Sequence, residues 1–152
     1  MKLIIISSLL ALFSISVIGQ NVNPLLDTTL AKSLGADEYG MKMYTFVILK
    51  TGENTTKNKT FIDSCFTGHL ANIKKLAQEK KLIIAGPFGK NNASFRGIFI
   101  LNEPNITEAN KLLATDPAIQ ANLLKAELYP WYGSAAISEY LNIHDKIWKK
   151  NP

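Results

Sequence analysis

Few side chains in this sequence can do chemistry. Of its two histidines, His69 opens the stretch His69–Gly89, which reads as a helix running into a short strand and then a Gly-Pro turn. A histidine changes charge near neutral pH, so an imidazole held in place by a carboxylate can act as general acid or base. His69 sits near the start of the expected helix. Ile73 and Leu76 follow on the same side, which leans the ring toward the buried face. The second histidine, His144, lies beside Asp145 and Lys146 in the C-terminal tail and reads as solvated. The carboxylate of interest is Asp116, directly before Pro117. That pair has two readings: partner to a catalytic group, or helix cap, since Asp is a favoured N-cap and Pro suits the first helical position. His69 likewise reads either as an acid–base residue or as a half-buried histidine with satisfied hydrogen bonds. Arg96 is suited to an anionic substrate group or to solvent at a strand edge. Gly86 and Pro87, in the turn after the strand, join Arg96 as candidate substrate-binding residues.

Several reaction classes are unsupported. There is no Gly-rich phosphate loop, no His-x-x-x-His pair and no Gly-x-Ser-x-Gly elbow. Cys65 is the sole cysteine of 152 residues, so neither an internal disulfide nor a multi-cysteine metal site is expected. No cofactor and no metal are expected. The net charge is +5, but the lysines are scattered and Arg96 is the single arginine. With no aromatic stripe between basic residues, no nucleic-acid partner is expected.

The elements that must position these residues follow in order. Met1–Gly19 reads as a secretory signal: Lys2, apolar runs Leu3–Ile6 and Leu9–Phe13, and small residues Val17 and Gly19 before a cleavage site at Gln20. Cleavage places the mature chain in the periplasm or outside the cell, with no membrane contact afterwards; the alternative is an uncleaved anchor, for which the apolar stretch is short and interrupted by serines. Residues 20–43 read as an extension with a short helix in Leu25–Leu34. Strands are expected at Tyr44–Lys50, Leu82–Ala85, Phe95–Asn102 and Lys125–Trp131, the last bearing Pro130 as an edge or strand end. Helices are expected over Cys65–Lys80, where Phe66, Leu70, Ile73 and Ala77 form the apolar face, and over Thr107–Ala114. Asn105 and Glu108 suggest a capping box. Pro117–Leu124 can restart a short helix, and Ala135–Lys149 can form a last one in the tail 133–152. Gly52–Lys59 reads as a surface loop with two Asn-x-Thr sequons. Two more sequons start at Asn92 and Asn105.

This order, βαββαβ, predicts an α+β ferredoxin-like domain over residues 44–132: a four-stranded antiparallel sheet with two helices on one face. Strands Tyr44–Leu49 and Ile98–Leu101 are apolar on both sides, so the uncovered face is expected to pack against a second copy in a homodimer. His69 at a helix start and Asp116 at a helix end are expected to share one rim.

His69-Leu70, the Gly86-Pro87 turn, the strand containing Gly97, Glu108-Ala109 and Asp116-Pro117 follow in the order of the YCII-related (YciI-like) family, which Tyr44–Trp131 resembles. The resemblance implies a ferredoxin-like fold that dimerises into an α/β barrel and a His/Asp-centred site falling on His69 and Asp116. Some members eliminate chloride from chlorinated hydroxyquinols. The signal sequence, the extension and the tail depart from the short cytoplasmic members. The expected function is therefore an exported protein with a His69/Asp116 acid–base site acting on a small-molecule ligand. The alternative is a non-catalytic small-molecule binding module of the same fold.

Overall fold

The computed structural model describes residues 23–149; the secretory signal expected over Met1–Gly19 lies outside them. The elements are α1 (Thr28–Leu34), β1 (Met41–Thr51), α2 (Lys59–Gln78), β2 (Leu82–Pro87), β3 (Phe95–Leu101), α3 (Ile106–Leu113), α4 (Pro117–Gln120), β4 (Leu124–Ser134), a 3₁₀ turn (Ala135–Glu139) and α5 (Tyr140–His144). The four strands form one sheet in the order β2-β3-β1-β4. All three pairings are antiparallel. That is the ferredoxin-like arrangement. Pro130 belongs to an edge strand, where its missing N–H breaks no ladder on the open side.

Side chains alternate across the sheet. Val47, Leu49, Phe99 and Leu101 point toward α2, α3 and α4 and form the main core with Cys65, Leu76, Leu82, Ala109, Leu113 and Leu124. Tyr44, Phe46, Ile84, Ile100 and Trp131 point the other way. This second face is not left bare. Ile137 of the 3₁₀ turn packs on it, α5 touches β2, and α1 packs on the 3₁₀ turn. Tyr44, Ile83 and Ile100 are buried there, and the Tyr44 hydroxyl donates to the Ser134 carbonyl at 2.9 Å. The expectation of one wholly uncovered face is therefore corrected: the extension and the tail cover one end of it, while Phe46, Ile48, Ile84, Ile98 and Tyr129 stay partly or largely open.

Helix α2 begins six residues before the expected Cys65, because Asn58 caps it by accepting the Phe61 N–H at 3.1 Å. Lys59 and Thr60 at its start, and Asp63 and Ser64 before Cys65, interrupt the apolar pattern and hide this start from a hydrophobicity reading. Its buried stripe is also shifted. Cys65, His69 and Leu76 are buried while Leu70 is 56% exposed. His69 thus lies in the middle of the helix and on the axis of its buried stripe, not near the start and at the edge. Asn105 caps α3 through the Thr107 and Glu108 N–H groups, but Glu108 pairs with Lys111 at 2.7 Å and is not recorded bonding back to the cap. Two sequon asparagines therefore serve as helix caps. The single tail helix expected over Ala135–Lys149 is instead the 3₁₀ turn followed by five residues of α5, where the Tyr140 ring stacks on His144.

The extension is tied to β4 by Asp37, which accepts the N–H groups of Tyr39 and Met41 and the Tyr132 hydroxyl. The Tyr132 bond is the main cause that holds the Asp37 carboxyl below its ordinary value, and the same bond pushes the Tyr132 phenol up to about 12. A raised phenol gives stability that is complete below the ordinary value of 10 and is lost as pH rises to about 12. A lowered carboxyl gives stability present above 3.8 and lost as pH falls below it. An absorbance titration is expected to show one of the five tyrosines ionising near 12, and Asp37→Ala to return it toward 10. Unchanged titration in that variant would remove the contact from the account.

Candidate active site

Helix α2 and the turn between α3 and α4 meet through three successive contacts. Asn72 hydrogen-bonds Thr115 at 3.0 Å, His69 bonds Asp116, and Gly68 faces Pro117. The last explains the glycine. A Cβ at Gly68 would stand 2.7 Å from Pro117 Cγ, closer than real Cβ atoms come. Its absence lets α4 lie against α2 and brings Asp116 to the ring one residue further on.

Asp116 uses its two oxygens for different partners. Oδ1 accepts the N–H of Ala118 at 2.9 Å and of Ile119 at 3.4 Å, which caps α4. Oδ2 lies 2.6 Å from His69 Nδ1. The cap and the pair, alternatives in the sequence, coexist. An ionised carboxylate only accepts, so Nδ1 carries the hydrogen and Nε2 is left with its lone pair. The carboxylate side chain is 1% exposed and the imidazole 11%. Among the described residues no buried side-chain nitrogen or oxygen lacks a partner. Nε2 has no hydrogen-bond partner among the described residues and is therefore not fully buried.

Two aromatic rings fix the imidazole plane, Phe66, read from the sequence only as part of the apolar helix face, and Phe99, read only as part of a strand. Phe99 of β3 stacks on it at 5.9 Å with planes 23° apart, and Phe66 meets it edge-on at 6.0 Å. Phe66 precedes His69 by three residues, a helical neighbour spacing that could have been read. Phe99 required the β3 register. The result is an imidazole oriented by a carboxylate, walled by apolar rings and open at Nε2, which can take a proton and return it without a metal. Among the described residues no three metal-ligating side chains gather.

The other named residues lie apart from this pair. Arg96 shares the β3 face with Ile98 and Ile100, opposite the Phe99 side, and is exposed. It is three strand residues from Phe99, roughly 10 Å along the strand. Gly86 pairs with Ile98 and so belongs to that same far face, with open space where a side chain would be. Pro87 pairs with Gly97 on the helix side. Pro87 and Arg96 line an open groove at the β2–β3 hairpin together with Phe88 and Phe95, whose rings are 5.6 Å apart. Strand alternation thus sets Arg96 and Gly86 on the face away from His69 and Pro87 on the helix side.

The sequence matches no family model and no curated protein. Among solved structures, the chain is similar to 5-chloro-2-hydroxyhydroquinone dehydrochlorinase from Burkholderia phenoliruptrix AC1100, in complex with 2,5-dihydroxybenzoquinone. The identity is 21%, the match covers 57% of this chain and 92% of that one, and the TM-score is 0.41. The ferredoxin-like assignment itself stands on the strand order and register given above.

Proposed function

We propose that this chain is an exported, homodimeric protein that acts on a small organic molecule through proton transfer at His69 and Asp116. The observation that carries the reading is the buried 2.6 Å contact from His69 Nδ1 to Asp116 Oδ2, with Nε2 unpartnered among the described residues. In it, Nε2 takes a proton from the substrate, Asp116 stabilises the imidazolium, and the proton is returned at the next step. The aromatic walls favour a small, flat, largely apolar substrate. The 11% exposure of the imidazole leaves a narrow approach, and this same observation favours the second reading, a binding module without turnover.

A panel of small carbonyl and phenolic compounds, scored by thermal shift and by turnover, separates the two. The enzymatic reading expects turnover that His69→Gln lowers by about 10²–10⁴-fold while the ligand-induced shift persists. Ligand shifts without turnover of any compound favour the binding module.

Export rests on the apolar stretch with Val17 and Gly19 before Gln20. Dimerisation rests on the open part of the second sheet face, Phe46, Ile48, Ile84, Ile98 and Tyr129. A stable dimer through it would bury roughly 1,200–2,000 Å² in total. The secreted protein is expected to have an intact mass that starts at Gln20 and to scatter light as a dimer. A mass retaining Met1–Gly19, or a monomer at micromolar concentration, contradicts the respective part.

A further inference from the structure

A second concavity lies across the sheet from the acid–base pair, where the extension and the tail close over the end of the second face. It has a volume of about 260 Å³. That is just below the roughly 300–1,000 Å³ usual for drug-sized ligands. The core fold does not make this pocket alone. Leu34 comes from the end of α1, Lys42 from β1, Ile83 from β2, and Ser138, Glu139 and Leu141 from the 3₁₀ turn and α5.

Lys42 is its central group. The ammonium sits 5.0 Å above the Tyr44 ring and donates to the Ser138 hydroxyl at 3.3 Å. The residue is half-buried, and among the described residues no carboxylate lies within salt-bridge distance of it. Burial pushes its ammonium below the ordinary lysine value. A cation withdrawn from water without a counter-charge is costly, and an anion from outside would relieve that cost. The wall holds two cations, Lys42 and Lys80, and one anion, Glu139, which leaves one unit of positive charge. Glu139 is engaged by the Asn142 amide at 2.7 Å. One positive charge suits a singly charged ligand better than a phosphate dianion. Leu34, Ile83 and Leu141 supply an apolar wall beside the charge.

We propose that this pocket binds a small monocarboxylate with a short apolar body, its carboxylate on Lys42 and Ser138. The site is independent of His69 and Asp116, and it exists only because the extension and the tail flank the core.

Amide NMR titration of the full mature chain tests this at constant ionic strength, with sodium hexanoate, hexanol and sodium phosphate as probes. Hexanoate is expected to shift the Lys42, Ser138 and Leu141 signals saturably. Hexanol, with the body but no charge, and phosphate, with charge but no body, are expected to bind at least tenfold more weakly. Lys42→Met keeps the stem over Tyr44 and is expected to weaken hexanoate at least tenfold, while Lys42→Arg retains it. Glu139→Gln is expected to tighten it a few-fold. Absence of saturable shifts at these residues overturns the proposal, and so does equal affinity in Lys42→Met or a phosphate that binds as well as hexanoate.

Discussion

Asp116→Ala is expected to lower the free energy of unfolding by about 2–5 kcal/mol. Two losses add. The α4 N–H groups lose their cap, worth about 1 kcal/mol. The buried His69 Nδ1–H loses its acceptor, and an unsatisfied buried donor costs about 1–3 kcal/mol. The vacated volume adds a cavity contribution. Asp116→Asn separates these roles. Its carbonyl oxygen can still cap α4, since Asn and Asp cap equally well. Its amide then faces Nδ1 as a donor, which drives the ring hydrogen onto Nε2. This variant is expected to stay within about 1–3 kcal/mol of the parent but to lose proton transfer. Denaturant unfolding at pH 7 reads the stabilities. Equal stability of Asp116→Ala and the parent would show that the pair and the cap carry little.

His69→Gln is expected to reduce turnover of any accepted substrate by about 10²–10⁴-fold. The amide is close in size to the imidazole and can still donate to Asp116 Oδ2, so Phe66 and Phe99 keep a neighbour and the helix keeps its register. What it lacks is an atom that binds and releases a proton near neutral pH. The loss is therefore expected in kcat, with KM little changed, because the group acts on the reacting proton and not on ground-state binding. A variant that turns over as fast as the parent removes His69 from the chemistry. A variant that loses binding and turnover together assigns it to ligand contact.

Much of the fold was legible because β1, β2 and β3 carry apolar runs with β-branched residues, and because Asn58, Asn105 and Asp116 stand where helices start. Even so, only two of those three caps were read, since Asn58, Lys59 and Thr60 continue the polar run of the preceding loop. The order βαββαβ then fixed the sheet. The site was legible in its two residue types but not in its geometry. Leu70 is as apolar as any core residue, and nothing local shows that it faces water while His69 faces inward. That choice is made by the Gly68–Pro117 approach and by Phe99, contacts that link residues far apart in sequence. Asp116 looked like a choice between two roles because sequence assigns one role per residue, whereas a carboxylate has two oxygens. The covered end of the second sheet face was hidden for a related reason. The extension and the tail have little apolar periodicity of their own, and their packing is set by the Tyr44 and Asp37 contacts.

The central claim is that Asp116 fixes the His69 ring with its hydrogen on Nδ1 and leaves Nε2 free to accept a proton. Nitrogen-15 NMR of the imidazole, recorded at a pH where the ring is neutral, measures this directly. The account predicts a His69 Nδ1 shift typical of a protonated nitrogen and an Nε2 shift typical of a bare one, with the pattern reversed in Asp116→Asn. A parent ring protonated on Nε2, or a pattern that Asp116→Asn leaves unchanged, would contradict it.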